Sequence, residues 1–244
     1  MVISGWKKRY SDILKEFKYS EKKDKESAII LDSILKKSNV NEIISSLIKD
    51  KSVFVIGAGP SLSTAIPKLK KLKKSIKIAA DSSVKLLVEN GIIPDIVITD
   101  LDGDEKTLEK ISRKSIFVIH AHGDNIDKLE FSKKFKKAIG TTQSNPFNEI
   151  QNFGGFTDGD RGVFLASYFG AKKIILFGMD FGEKIGKFSN TKKSERGIKL
   201  MKLNKGQLLL EWLATRTKSE LFTTSKSIKG FKKIPYKNVD ITIT

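Results

Sequence analysis

Apolar residues recur at helical spacing through the first 50 positions: Tyr10, Ile13, Leu14 and Phe17, then Ile29, Ile30, Ile34 and Leu35, then Ile43, Ile44 and Leu47. A stripe of this spacing lies on one helix face and is buried there. It predicts a helical segment over residues 1–50. At Lys51 the pattern changes to short continuous apolar runs. They are Ser52-Val53-Phe54-Val55-Ile56, Ile76-Lys77-Ile78-Ala79-Ala80, Ile96-Val97-Ile98, Ile116-Phe117-Val118-Ile119, Lys137-Ala138-Ile139 and Ile174-Ile175-Leu176-Phe177. Such runs suit strands buried on both faces. Between them, residues 62–72, 83–90, 105–111 and 161–169 read as helices. Alternating β and α elements predict an α/β fold, an open and mostly parallel sheet with helices on both faces, over residues 51–244.

From Gly182 to Lys205 the pattern lapses. Lys184, Lys187, Lys192, Lys193, Lys199, Lys202 and Lys205 alternate with Gly, Ser, Asn and Thr, which predicts a mobile basic loop. Helix then resumes through Leu208, Leu209, Trp212 and Leu213, and Glu220-Leu221-Phe222-Thr223-Thr224 reads as a last strand.

Composition changes this picture in three ways. No apolar run approaches the ~20 residues of a membrane span, and the opening residues lack the apolar stretch of a secretory signal, so a cytoplasmic, membrane-free protein is expected. The absence of cysteine excludes disulfides, thiolate metal sites and cysteine nucleophiles. A net charge of +18 points toward anions, yet only five of the 46 basic residues are arginine. Dispersed lysine is the less shape-specific phosphate partner, so a nucleotide is expected rather than nucleic acid.

Ligands of open parallel sheets bind beyond the carboxyl ends of the strands, and polar clusters fall at successive predicted strand ends. Gly57-Ala58-Gly59-Pro60-Ser61-Leu62 combines glycines that let a phosphate approach the backbone with a proline suited to a first helical turn. Leu62 breaks the dinucleotide fingerprint, and no Gly-Lys-Ser/Thr follows. Asp81-Ser82-Ser83 reads either as a helix cap or as a ribose contact through Asp81. In Thr99-Asp100-Leu101-Asp102-Gly103-Asp104, extended backbone would point Asp100 and Asp102 the same way, which suits magnesium. Asn152 to Arg161 adds Asp158, Asp160 and Arg161 at a helix start. His120 and His122 have no third zinc ligand of the usual spacing nearby.

Together these segments resemble the archaeal 6-hydroxymethyl-7,8-dihydropterin pyrophosphokinase family, over roughly Lys51 to Asp180. They also resemble thiamine pyrophosphokinases, in which an Asp-rich turn binds magnesium and ATP; here Gly103 replaces a serine of that turn. The resemblance implies transfer of diphosphate from ATP to a reduced pterin alcohol, releasing AMP, in tetrahydromethanopterin or folate synthesis. It implies Asp100, Asp102 and Asp158 as metal ligands, with Asp160 near the nucleotide and Arg161 on the transferred group. It further implies Gly57, Gly59, Pro60, Ser61 and Asp81 at the nucleotide, and His122, Asp124 and Asn125 at the pterin. The basic 182–205 loop would close over the triphosphate, and residues 51–244 would be the catalytic domain, in a chain free to form a homo-oligomer. Four rivals stand beside it: a thiamine-type pyrophosphokinase; a motility-accessory glycosyltransferase, alike at the Gly-Pro-Ser-Leu turn; a nicotinamide-dependent oxidoreductase; and a basic nucleic-acid-binding protein.

Overall fold

The computed structural model describes residues 3–182, 184–186, 189 and 191–243. The predicted runs become β1 (Ser52–Ile56), β2 (Ile76–Ala80), β3 (Ile96–Thr99), β4 (Ile116–Ala121), β5 (Ala138–Thr142), β6 (Lys173–Phe177) and β7 (Glu220–Thr223), followed by a short edge strand β8 (Lys232–Lys233). All pair in parallel, in the order β5-β4-β3-β2-β1-β6-β7-β8. The chain therefore builds outward from β1 to β5, then returns to place β6 on the other side of β1. That reversal opens a crevice between the carboxyl ends of β1 and β6, where parallel sheets bind ligands.

Alternate strand residues enter two separate cores. Val53, Val55, Ile78, Ile98 and Leu176 face one side, while Phe54, Ile56, Ala79, Val97 and Phe177 face the other. The first side is covered by α1 (Trp6–Phe17), α3 (Val40–Ile48), α7 (Asp158–Tyr168) and α8 (Arg196–Ala214). The second is covered by α4 (Leu62–Lys71), α5 (Asp81–Glu89) and α6 (Glu105–Ile111), with α9 (Val239–Ile243) behind. Between α1 and α3, α2 (Glu21–Ile34) buries Ala28 and Leu31 in the second core and packs on β4 and β5. The N-terminal helices thus straddle the β5 edge and cover unpaired backbone that would otherwise invite association.

The basic segment departs from expectation. Its described part forms a 3-10 turn at Lys193–Glu195 and then α8, so helix begins at Arg196 rather than near Leu208. Lys184 falls in irregular backbone, and Lys187 lies outside the described residues. Arg, Lys, Leu and Met are strong helix formers, and the helix gains a tertiary partner. Gly206 lies over α7, where a Cβ would stand 3.0 Å from Asp160 Oδ1. Lys205 is not a lid residue either, because it pairs with Glu16 of α1.

Candidate active site

The glycine turn after β1 lies against the turn after β6. Gly57 N donates to Phe177 O at 2.9 Å and Gly59 N to Gly178 O at 2.7 Å. Asp180 Oδ2 accepts from both the amide and the hydroxyl of Ser61, each at 2.7 Å. A Cβ on Gly57 would meet Met179 Sδ at 2.6 Å, so the glycine permits this close approach. The amides expected to cradle a phosphate are committed within the protein, and a carboxylate already occupies the start of α4. What the turn offers a ligand is a wall: Gly57, Ala58 and Gly59 line a pocket together with Ala80, Ser82 and Met179.

The acidic turn is not extended. After Thr99 the backbone reverses through Leu101, whose φ of 67° is unusual for a side chain of this kind. Leu101 is buried, and its amide donates to Thr99 Oγ1 at 2.8 Å. Asp81 Oδ2 accepts from Thr99 Oγ1 at 2.5 Å and from Gly103 N at 3.1 Å. Asp81 is thus brought beside the acidic turn. One carboxylate oxygen from each of Asp81, Asp100 and Asp158 lies within 4.8 Å of the other two. Asp81, which the linear pattern placed at a ribose, stands in this group where Asp102 was expected.

Burial pushes Asp81 up to about 8, against the opposing bond from Thr99. Burial and then the charges of Asp100, Asp81 and Asp102 push Asp158 well above the usual carboxylate range. For Asp100 burial works the same way, but hydrogen bonds with His122 and Asp102 prevail and hold it below that range. Asp102 is exposed at the cleft rim; loss of solvation and the charge of Asp100 still push it up to about 6. Oδ1 of Asp81 and of Asp100 is buried without a hydrogen-bond partner. Converging carboxylates with unmet oxygens fit a hard divalent cation, which would offset their repulsion.

Gly103 is required by this packing, since a Cβ there would overlap the Asp81 carboxylate. Gly103→Ala is expected to lower kcat about 100-fold by moving Asp81. Unchanged kcat would show that Asp81 need not stay in place.

Other predicted site residues point away from the cleft. Asp160 is fully buried and caps α7, accepting from Phe156 N at 2.6 Å, Thr157 N at 2.8 Å and the Thr157 hydroxyl. Both its oxygens are spent on capping, so a nucleotide contact is replaced by a structural role. Arg161 is fully buried and donates to Gly154 O at 3.4 Å and Phe156 O at 3.2 Å. Burial lowers its pKa, while the charges of Asp160, Asp158, Asp100 and Asp24 oppose this. It is an internal countercharge rather than a hand on the transferred group.

Asn125 is also turned inward. Its Nδ2 donates to Asp100 O at 2.8 Å and His120 O at 2.7 Å, and its Oδ1 accepts from His122 N at 3.1 Å. It ties turns together instead of contacting a pterin. His122 does face the site, with Nε2 at 3.6 Å from Asp100 Oδ2. Its Nδ1 accepts from Asp124 N at 3.3 Å, while the Asp124 side chain is exposed.

A second cavity continues from the first; Ser82, Thr157, Asp158 and Lys199 border both. It holds Asp100, Asp102 and His122, with Tyr19, Gln143 and Lys202 in its walls. One lobe is therefore mostly apolar, the other acidic at its floor and basic at its roof.

Residues 25–186 match the family model described as "6-hydroxymethylpterin diphosphokinase MptE-like". The chain belongs to this family. Three curated relatives carry the name 6-hydroxymethyl-7,8-dihydropterin pyrophosphokinase. The protein of Pyrococcus furiosus is 42% identical, over 92% of this chain and 100% of its own length. That of Methanocaldococcus jannaschii is 41% identical over 90% and 99%, and that of Methanothermobacter thermautotrophicus 38% over 87% and 95%. Among solved structures, a Maf glycosyltransferase of Magnetospirillum magneticum AMB-1 shares the fold, at a TM-score of 0.58 and 15% identity. The match covers 90% of this chain but 39% of that one, and at this identity it speaks for fold alone. Membership of the diphosphokinase family favours the pterin reading over the glycosyltransferase, oxidoreductase and nucleic-acid rivals.

For this MptE-like chain the sequence reading passed over Tyr19, Asp24 and Gln143. Gln143 directly follows β5, so the rule that singled out the other strand ends applies to it equally. Tyr19, in the connection between α1 and α2, and Asp24, which resembles an ordinary first-turn acid of α2, carry no such signal.

Proposed function

We propose that the chain transfers the terminal diphosphate of ATP to the hydroxymethyl oxygen of 6-hydroxymethyl-7,8-dihydropterin. The oxygen bonds to the β-phosphorus, the bond from that phosphorus to the α-phosphate oxygen breaks, AMP departs, and the hydroxyl proton is lost. The observation that carries this reading is the shared border of the two cavities. Asp158 and Lys199 stand where a nucleotide in the glycine-lined lobe would extend its phosphates toward an alcohol in the other. Such transfer asks mainly for in-line placement and charge neutralisation.

Asp81, Asp100 and Asp158 would hold magnesium, which when bound neutralises phosphate charge and polarises the phosphoryl group. Lys199 and Lys202, on the α8 side of the cleft, add positive charge opposite this acidic floor. His122 orients Asp100 through their contact. We place the reaction in the cytoplasm, in the synthesis of tetrahydromethanopterin or folate, with residues 51–244 as the catalytic domain. No helix among the described residues is long and apolar enough to cross a membrane.

The test is AMP release from magnesium, ATP and the pterin alcohol. AMP should form only with all three present, stop on chelation of the metal, and be lost when Asp100 and Asp102 are both changed to Ala. Pterin-independent AMP, or activity surviving that double replacement, would sink the reading. Thiamine in place of the pterin is expected to give no AMP.

A further inference from the structure

Gln143 is held unusually firmly for a residue in a cavity wall. Its carbonyl accepts from Trp6 Nε1 at 2.9 Å and from Asn152 Nδ2 at 3.0 Å. Its Nε2 donates to Asp24 Oδ2 at 3.0 Å. Asp24 also takes the Tyr10 hydroxyl at 2.7 Å and Gly123 N at 2.9 Å. With three donors upon it, this carboxylate can only accept, so a flipped amide would set oxygen against oxygen. The orientation is thereby determined, and Oε1 is turned away from Asp24. That oxygen is buried and has no donor.

His120 presents a parallel case in the same cavity. It is buried and stacked on His122 with ring centroids 5.4 Å apart, and its Nδ1 has no partner. Buried acceptors are ordinarily satisfied, so the unmet Gln143 Oε1 calls for a ligand that brings donors. Phosphates bring none. The pyrimidinone edge of a pterin presents a ring N–H beside an exocyclic amino group. Tyr19 and Phe156, with centroids 6.4 Å apart in the same cavity, add apolar surface for a flat ring.

We propose that Gln143 Oε1, fixed by Asp24, accepts a hydrogen bond from the amino-pyrimidinone edge of the pterin and thereby sets substrate specificity. This rests on the diphosphotransferase reading above. The test compares kcat/KM for 6-hydroxymethyl-7,8-dihydropterin with that for the corresponding dihydrolumazine, in which an oxygen replaces the 2-amino group. The wild-type protein should prefer the pterin by about 100-fold or more. Gln143→Ala should raise the KM for the pterin, reduce the preference below about 10-fold and leave the KM for ATP unchanged. Asp24→Asn should also erode the preference, because an amide partner lets Gln143 turn over. The preference is a ratio taken on the folded fraction, so partial unfolding does not change it. Both variants retaining the wild-type preference would overturn the inference while leaving the activity intact. Absence of pterin-dependent AMP in the wild-type protein would instead overturn the activity reading and this inference with it.

Discussion

Asp158→Asn is expected to lower pterin-dependent AMP formation by about 10²- to 10³-fold while leaving the protein at least as stable as before. The two effects have one cause. Asp158 opens α7 at the border between the cavities, with a carboxylate oxygen within 4.8 Å of oxygens from Asp81 and Asp100. Burial and the neighbouring acids disfavour its charge. A neutral amide of the same shape relieves that conflict, so the midpoint of thermal unfolding without metal should stay level or rise. The amide also removes a negative oxygen from the group that fits a divalent cation, and a weakened response to magnesium should accompany the lost rate. Turnover above a tenth of wild type at saturating magnesium and ATP would show that Asp158 is not part of the reacting site. Such an exchange of stability for function is common where active sites gather like charges.

Arg161→Met should do the reverse, acting first on stability. Arg161 is the largest of the wholly buried side chains, and Asp158, Asp160, Asp100 and Asp24 supply the charges around it. Removing the cation leaves these acids uncompensated in the interior, and breaking such a buried arrangement costs about 3–5 kcal/mol. In a protein of this size that corresponds to a fall of roughly 10 °C in the unfolding midpoint. The measurement separates two roles. A variant that unfolds within about 2 °C of wild type but has lost turnover would mean that Arg161 touches the transferred phosphates, contrary to its burial. Methionine approximates the volume of the aliphatic stem, so a cavity alone would not mimic the effect.

Much of the frame was legible because buried parallel strands write themselves as continuous apolar runs. The stretch from Val53 to Ile56 and that from Ile174 to Phe177 needed no further context, and their carboxyl ends marked where polar residues would matter. Residue type at those ends was legible; direction was not. Asp158 and Asp160 are two positions apart on the first turn of α7, yet one faces the cleft and the other turns back to cap its own helix. Asn125 and Arg161 look like ligand-binding residues in a linear reading and are both inside. Asp81 and Asp102 exchanged expectations for a similar reason. The left-handed Leu101 bends the acidic turn so that its second carboxylate leaves the group, while β2 delivers Asp81 from the neighbouring strand. The helix at Arg196 was hidden by lysine-rich composition, since its contact with α7 through Gly206 is a property of the folded chain.

The inward-facing Asn125 has a consequence for how such a protein could change over generations. One side-chain amide fastens the backbones of Asp100, His120 and His122, so the floor of the cleft cannot be remodelled one loop at a time. Part of the wall carries no such constraint. Tyr19 comes from the connection between α1 and α2, and Ile198 from one side of α8. A descendant selected for a different alcohol can vary these two positions while inheriting the phosphate chemistry unaltered.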